Sequence, residues 1–598
     1  MIPIVRTLSV LFLAFGALSL RAQAPAQETK EKPALTLSEL GDEIDVSLRW
    51  LRGRQDLSTG SYGGVLETLT VLEAFATSPR TYRPSDGPFV SKAVDFLLAR
   101  QAENGAISDP AAGESTLLLQ TKVAIRVLVR FGGHDAALAR ARTFVGDLST
   151  GAGETSGPED PFAAQWKPML EGPDPRRALI EKAHAFLATR RADGAWESEH
   201  GDVIGTSVAI ATLSSIHGHW KRLEPKPAER EAHSLPAFTP ADRERVDAAL
   251  ARGAAFLLAQ AVEPGRFGFE SHADPGITAM VLGGLLSVKE PRPPEVERAI
   301  ESALDWLVSL QRSDGSIHDG QLANYVTSAA LMVLARAGRE KDVPVIQRAR
   351  DYLRALQSDE ADGYRPSDRY YGGVGYGGDE RPDLSNLQMA LEALSAAGAA
   401  QGDETFQKAL VFLQRCHNRS ESNDLSLVEG GSSIVSGNDG GAGYAPGESK
   451  AGFVELPDGK KVPRSYGSMT YALLKGYLFA GLDRSDPRVE AAWGWITRNY
   501  TLDVNPGFES SSDPTAPYQG LFYYFTAMAK ALDLYAEETI VDASGVSHAW
   551  RTELAGRLIA MQRQDGSWVN DNAGRWYEDL PVLATAYAMI ALRTALPE

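Results

Sequence analysis

Apolar positions along the chain follow one alternation, again and again, from about residue 38 to residue 598. An amphipathic stretch with Lys, Arg, Asp and Glu between its apolar positions leads into a polar, glycine-containing turn. A second stretch follows that is apolar or small on nearly every face. Gly205–Ile216 (GTSVAIATLSSI), Tyr325–Ala337 (YVTSAALMVLARA), Leu384–Ala397 (LSNLQMALEALSAA), Tyr466–Ala480 (YGSMTYALLKGYLFA) and Pro581–Ala595 (PVLATAYAMIALRTA) are of this second kind. A helix apolar all round is buried all round, and an amphipathic one covers it from outside. The pattern predicts helix pairs, about ten of them, with no convincing run of strands.

The turns repeat as well. Ala99–Ile107 (ARQAENGAI), Thr189–Trp196 (TRRADGAW), Leu310–Ile317 (LQRSDGSI) and Met561–Trp568 (MQRQDGSW) end the first helices. Weaker copies follow the helices at Val46–Leu51, Arg252–Gln260, Arg348–Gln357 and Ala491–Tyr500. Glycines 60, 105, 268, 315 and 363 are the expected turn residues, where a left-handed backbone favours Gly. Buried inner helices and amphipathic outer ones favour a closed ring over an open solenoid, whose concave face is usually solvated. The expected fold is therefore all-α, an α/α toroid of inner and outer rings, with a second, partial toroid on the N-terminal side.

Composition marks the boundaries. Residues 217–242 hold four prolines and many charges and are expected to link N-terminal repeats (38–216, about four pairs) to a C-terminal ring (243–598). Six first helices, starting near 243, 294, 343, 403, 486 and 548, would complete that ring. Gly151–Pro161 interrupts the N-terminal repeats, and a Gly-, Ser- and Asn-rich insert at about 417–464 interrupts the ring. Inserts of that length are usually functional or disordered.

Arg6, the apolar run Leu8–Leu20 and Ala22-Gln23-Ala24 read as a secretory signal over residues 1–24, followed by a polar linker, 25–37. The apolar run is shorter than the roughly 20 residues a membrane span needs. The expectation is an exported protein, periplasmic or extracellular, with no integral membrane segment after cleavage. The formal charge of −18, from 78 acidic and 60 basic residues, repels phosphate backbones and argues against nucleic-acid binding. One cysteine, Cys416, excludes an internal disulfide.

The strings QRQDGSW and QRSDGSI (Gln562–Trp568 and Gln311–Ile317) resemble the Gln-Trp repeats of squalene–hopene and oxidosqualene cyclases. The helix-pair period is similar to that of the wider α/α-toroid superfamily, which includes prenyltransferase β subunits. The resemblance implies a terpenoid cyclase-like or prenyltransferase-like chain that handles an isoprenoid. In hopene-type cyclases an Asp-x-Asp-Asp-Thr-Ala motif at the head of an inner helix starts catalysis, its middle Asp donating a proton. The counterpart here is Asp383-Leu384-Ser385-Asn386-Leu387-Gln388, with Ser385 in the donor's place. A hydroxyl is no acid of that strength. Gln414, two residues before Cys416, stands where prenyltransferases carry the zinc-binding Asp, and neither an aspartate-rich DDxxD segment nor a GCGEQ thioester string occurs. No metal or cofactor is expected.

Polar and aromatic residues gather where turns lead into inner helices of the C-terminal ring. Asp383, Asn386, Tyr466 and Asp579 are the catalytic candidates. Tyr325, Tyr371, Tyr376, Arg381, Tyr471, Tyr523, Tyr524, Trp550, Arg551 and Trp576 are the substrate-binding candidates, since aromatic faces stabilise carbocations. Six of them have a structural alternative. Asp383 and Asp579 suit helix N-caps, Tyr523 and Tyr524 suit the core, and Arg381 and Arg551 suit ties between helix ends. Three functions fit the residues. One is binding or transformation of a small apolar isoprenoid. The second is a polysaccharide lyase or hydrolase acting on a glycan, and the third a non-catalytic binding or scaffold protein. Whether the chain is an enzyme stays open at the level of sequence.

Overall fold

The structure, a computed structural model, describes residues 35–110, 112–148, 168–224, 238–269, 271–377 and 381–597. The proposed signal segment, residues 1–24, and Gly151–Pro161 lie outside them. The chain divides into two compact units, residues 1–226 with 456–459 and residues 227–455 with 460–598.

In the first unit the helices are α1 (Leu37–Arg52), α2 (Val65–Thr77), α3 (Pro88–Ala99), α4 (Glu114–Phe131), α5 (Asp135–Leu148), α6 (Pro175–Leu187) and α7 (Asp202–Leu223). Helix α2 packs between α4 and α7, and α1 and α6 both lie against α7. The core is aromatic around Phe75, which meets Tyr62, Tyr82 and Phe89 edge-on.

In the second unit the helices are α8 (Pro240–Ala259), α9 (Pro275–Leu285), α10 (Pro294–Ser309), α11 (Ala323–Ala337), α12 (Val343–Ala355), α13 (Leu384–Ala396), α14 (Glu404–Cys416), α15 (Gly467–Phe479), α16 (Pro487–Asn499), α17 (Leu521–Tyr535), α18 (Trp550–Met561) and α19 (Pro581–Ala595). The odd-numbered helices pack side by side in the order α9, α11, α13, α15, α17, α19, and α19 returns to α9. This closed inner ring, with the even-numbered helices outside it, is the α/α toroid that the repeat predicts. In α13 every residue from Leu384 to Leu391 is buried, as the all-round apolar pattern requires.

The repeat strings join the outer helices. Gln55, Gln101, Gln311, Gln357 and Gln562 each donate two hydrogen bonds of 2.9–3.2 Å through the side-chain amide. One goes to the carbonyl of the copy's own turn glycine, the other to a carbonyl of the next outer helix. Three residues further along that next helix, Arg140, Arg348 and Arg252 donate back to the oxygens of Gln101, Gln311 and Gln562. The turn glycines sit flat on the same helix. A Cβ on Gly60, Gly105, Gly315, Gly372 or Gly566 would overlap its backbone carbonyl, and all five have left-handed φ. Inside the ring, the residue after the turn is locked to an inner-helix threonine. The N–H groups of Phe267, Ile317 and Trp568 donate to Thr278, Thr327 and Thr585.

Four sequence expectations change. Helix α7 continues to Leu223, through the start of the predicted linker at 217–242, and α8 begins at Pro240 rather than 243. The turn glycines of two copies are Gly265 and Gly372, not 268 and 363, because those two make the close approach to the next outer helix. The insert at 417–464 carries a four-stranded sheet, although no strands are expected there. It consists of β1 (Ser426–Glu429), β2 (Ser432–Val435), β3 (Phe453–Glu455) and β4 (Lys461–Pro463), in the order β1-β2-β4-β3. The N-terminal repeats show inner-type helices α2, α4 and α7. Their last turn lies on their first helix, with Gly194 against Val46 and Arg190 paired with Glu43. Among the described residues, no helix is long and apolar enough to cross a membrane.

Gly315→Ala is expected to destabilise the ring by ~1–3 kcal/mol more than Gly338→Ala, measured by urea unfolding. Both positions have positive φ, but a Cβ at Gly338 meets nothing within 4 Å. Equal losses would show that the turn-to-helix contact is unimportant.

Candidate functional site

The inner helices all run the same way. Tyr325, Ser385 and Tyr523, each second or third in its helix, meet one another, whereas Glu392, Lys475 and Lys530, ninth or tenth in theirs, meet further along. All the inner-helix N-termini therefore open at one end of the ring. Their aligned dipoles make that end partially positive and favour carboxylates there.

Asp383 is the N-cap of α13, as its structural alternative predicts. Its carboxylate accepts from the Asn386 backbone N–H at 2.9 Å and from Asn386 Nδ2 at 2.8 Å. Asn324 Nδ2 then donates to Asn386 Oδ1 at 3.0 Å, so α11 and α13 are tied at their heads. Burial pushes the Asp383 carboxyl above the usual range, against the bonds from Asn386 and Tyr444 and the charge of Lys450. Lys450 lies 4.1 Å over the Tyr444 ring, and Tyr444 Oη meets Tyr376 Oη at 3.1 Å. Tyr376 stacks on Tyr325 with ring centres 5.7 Å apart. The Tyr325 hydroxyl bonds to Ser385, which meets Tyr523 Oη at 3.2 Å. Gln388 Nε2 donates to the same Tyr523 oxygen at 3.2 Å. Tyr466 is buried at the N-cap position of α15, edge-on to Phe508 at 5.1 Å. Burial raises the phenols of Tyr325, Tyr466 and Tyr523.

Positions four and seven apart on the inner helices stay partly exposed within this buried shell: Tyr325 and Met332, Tyr523 and Lys530, Gly276 and Met280, with Tyr587 and Glu392. They line the interior of the ring. At its deeper level Glu392 pairs with both Lys475 and Lys530. Burial works to raise the Glu392 carboxyl, but the two ammoniums outweigh it and hold it well below its ordinary value.

Residues 275–427 match a family model described as the squalene-hopene cyclase C-terminal domain, and the stretch contains α9 to α14 and the Asp383 segment. This part of the chain is similar to that domain. Among solved structures, the chain is similar to a variant of the type II terpene cyclase MstE from Scytonema in complex with the substrate geranylgeranyl dihydroxybenzoate. The identity is 16%, over 60% of this chain and 99% of that one, with a TM-score of 0.37. A protein from Actinoplanes matches at 18% identity over 58% and 99%, TM-score 0.34. An ent-copalyl diphosphate synthase from Streptomyces platensis matches at 14% over 62% and 91%, TM-score 0.18. No curated protein matches the chain.

The C-terminal ring gathers Tyr325, Tyr376, Asp383, Asn386, Tyr466 and Tyr523 at its N-terminal end, and leaves other candidates elsewhere. Tyr371 donates to Glu360 at 2.8 Å beside the α12 turn. Arg381 pairs with Glu448 of the insert. Tyr471 and Tyr524 are buried in the wall between α15 and α17, edge-on at 5.7 Å. Trp550 and Arg551 lie at the opposite end, because α18 runs against the inner helices. Trp550 donates to the Glu537 carbonyl just past α17, and Arg551 joins Asp533, Glu538 and the Thr594 carbonyl. Arg551 is thus the helix-end tie of its alternative reading. Trp576 is 42% exposed beside Arg575. Asp579 is exposed, and Leu580, not Asp579, occupies the N-cap position of α19.

The buried carboxyl in that segment is Glu578. It accepts from the Tyr523 N–H at 2.8 Å and from Asn570 Nδ2 at 2.8 Å, capping α17 from another loop. Burial raises it to about 7. Its neighbour Asp579 carries the same charge and stands before the same proline in sequence, so only the loop conformation separates them. Gln388, Glu392, Lys475 and Lys530 were legible in principle, as polar residues inside otherwise apolar helices. Tyr444 and Lys450 carry no such signal, since the insert has no repeat to compare with.

Glu578 holds its proton more tightly folded than unfolded, so its stabilising contribution is greatest at low pH and falls as pH rises from about 4.5 towards 7 and beyond. Glu578→Gln keeps an acceptor but cannot ionise. Its Tm, relative to wild type, is expected to rise between pH 5 and pH 8. A difference that stays flat across that window would refute the raised carboxyl.

Proposed function

We propose that the C-terminal ring binds an isoprenoid in its interior, entering at the Asp383 end, and that Asp383 holds the ring together rather than delivering a proton. The observation that carries this is the set of aromatic and methionine side chains left partly exposed inside a closed shell: Tyr325, Tyr523, Tyr587, Met280 and Met332. Such a lining suits a flexible hydrocarbon chain. The family-model match over residues 275–427 supports the same ligand class. Asp383 accepts two hydrogen bonds from Asn386, and the residue two further on is Ser385, whose hydroxyl bonds to Tyr325. Neither group is arranged to protonate a double bond.

The glycan reading lacks comparable support. His548 sits between Asp542 and Glu553 on the outer ring, and Arg551 is engaged by two carboxylates and a carbonyl. We also propose, from the N-terminal segment, that the chain acts outside the cytoplasm. Fractionation of the native host is expected to recover it beyond the inner membrane with residues 1–24 removed, and recovery of uncleaved protein in the cytosol would end that part of the proposal.

The full-length protein, incubated with a mixture of isoprenoid alcohols and hydrocarbons and passed through gel filtration, is expected to retain isoprenoid and to release it unchanged into organic solvent. Met280→Trp, which fills the interior, should lose most of that retention while keeping its helical circular dichroism. Asp383→Asn keeps one cap oxygen but turns an amide N–H towards Asn386 Nδ2, so it should lower stability by about 1 kcal/mol, the value of one buried hydrogen bond, and still retain ligand. Cyclised products that disappear in Asp383→Asn would overturn the role given to Asp383, and no retention by wild type would overturn the ligand.

A further inference from the structure

Among the described residues, a polar atom on the inner helix α13 is left without a partner. Gln388 is 2% exposed, and its Oε1 is buried with no hydrogen-bond donor, while its Nε2 is held by Tyr523 Oη at 3.2 Å. The amide lies on the inward face of α13, between Ser385 one turn above and Glu392 one turn below. Both of those neighbours are occupied, Ser385 by Tyr325 and Tyr523 and Glu392 by Lys475 and Lys530. Around them Tyr523, Tyr325 and Tyr587 present partly exposed rings.

A buried carbonyl oxygen without a donor is costly to leave so, and it is an acceptor only. What completes it must bring an O–H or N–H into an otherwise aromatic interior. A formal charge is disfavoured there, because the deeper charges already compensate each other in part and burial would have to strip a further ion of water.

We infer that the interior carries a polar subsite at Gln388, and that the ligand is a hydroxylated isoprenoid, its hydroxyl donating to Gln388 Oε1 beside Tyr523. The inference rests on the isoprenoid reading above and narrows it from hydrocarbon to alcohol. The subsite lies one turn inside the ring from Ser385, so the hydroxyl travels in ahead of the hydrocarbon tail, which is left against Tyr325 and Tyr376 towards the opening.

The test compares farnesol with farnesene, the same skeleton without the hydroxyl, by titration calorimetry on the full-length protein. Wild type is expected to bind farnesol roughly five- to tenfold more tightly, the value of one buried hydrogen bond. In Gln388→Met the preference should vanish, with farnesene affinity within about twofold of wild type. Gln388→Leu serves the same purpose if the Met variant fails to fold. Equal binding of the two ligands by wild type, or a preference that survives in both variants, overturns the inference and leaves the isoprenoid reading standing. Binding of neither ligand overturns that reading and the inference with it.

Discussion

The ring depends on a side-chain amide that hydrogen-bonds in two directions. A glutamine at the end of each of several outer helices closes its own turn and at the same time grips the next outer helix, and an arginine on that helix returns the bond. Because the amide offers two N–H groups and one oxygen in a fixed plane, the grip has a direction, from one copy to the next. The turn glycine makes the contact possible, since any Cβ would strike the neighbour's backbone. Among the described residues this grip occurs at three junctions of the ring, through Gln311, Gln357 and Gln562, and there it sets the spacing of adjacent outer helices.

The direction of the grip also decides the electrostatics. Each inner helix enters after an equivalent turn, so the inner N-termini share one end and the C-termini the other. Asp274, Asp383 and Glu578 stand at the first end, each accepting backbone N–H groups. Lys475, Lys530 and Arg551 stand towards the second. This arrangement follows the helix dipoles and leaves the middle of the ring to neutral hydroxyls, an amide and aromatic rings. The candidate site is that neutral zone, with charge at both ends of it.

Much of the ring was legible because its causes are local. The helix pairs follow from apolar spacing, and the turns from Asp-Gly strings such as Gln562–Trp568. Asp383 as a cap follows from its place before Leu384. The site was less legible because it is made by convergence. Tyr325, Ser385 and Tyr523 lie on three separate helices, Ser385 and Tyr523 138 residues apart, and nothing in the sequence around Tyr523 distinguishes it from Tyr524, which faces the wall. A one-residue step on a helix turns a side chain by about 100°, so neighbouring tyrosines meet opposite surroundings. Trp550 and Arg551 were misplaced for a related reason. Sequence order sets them near a turn, but the antiparallel run of α18 puts that turn at the far end.

The closing contact of the ring has a kinetic meaning. Gln562 donates to the Ala249 carbonyl across 313 residues, whereas Gln311 reaches Val345 across 34. The early grips form between segments that leave the ribosome close together, but the last waits until nearly the whole unit has been made. Until then the first and last pairs expose unmatched apolar flanks, and loop closure over that separation carries a high entropic cost. Circularity thus removes the free flanks of the inner ring: an arc lacking α19 would leave two apolar edges, and with α19 packed against α9 the ring has neither.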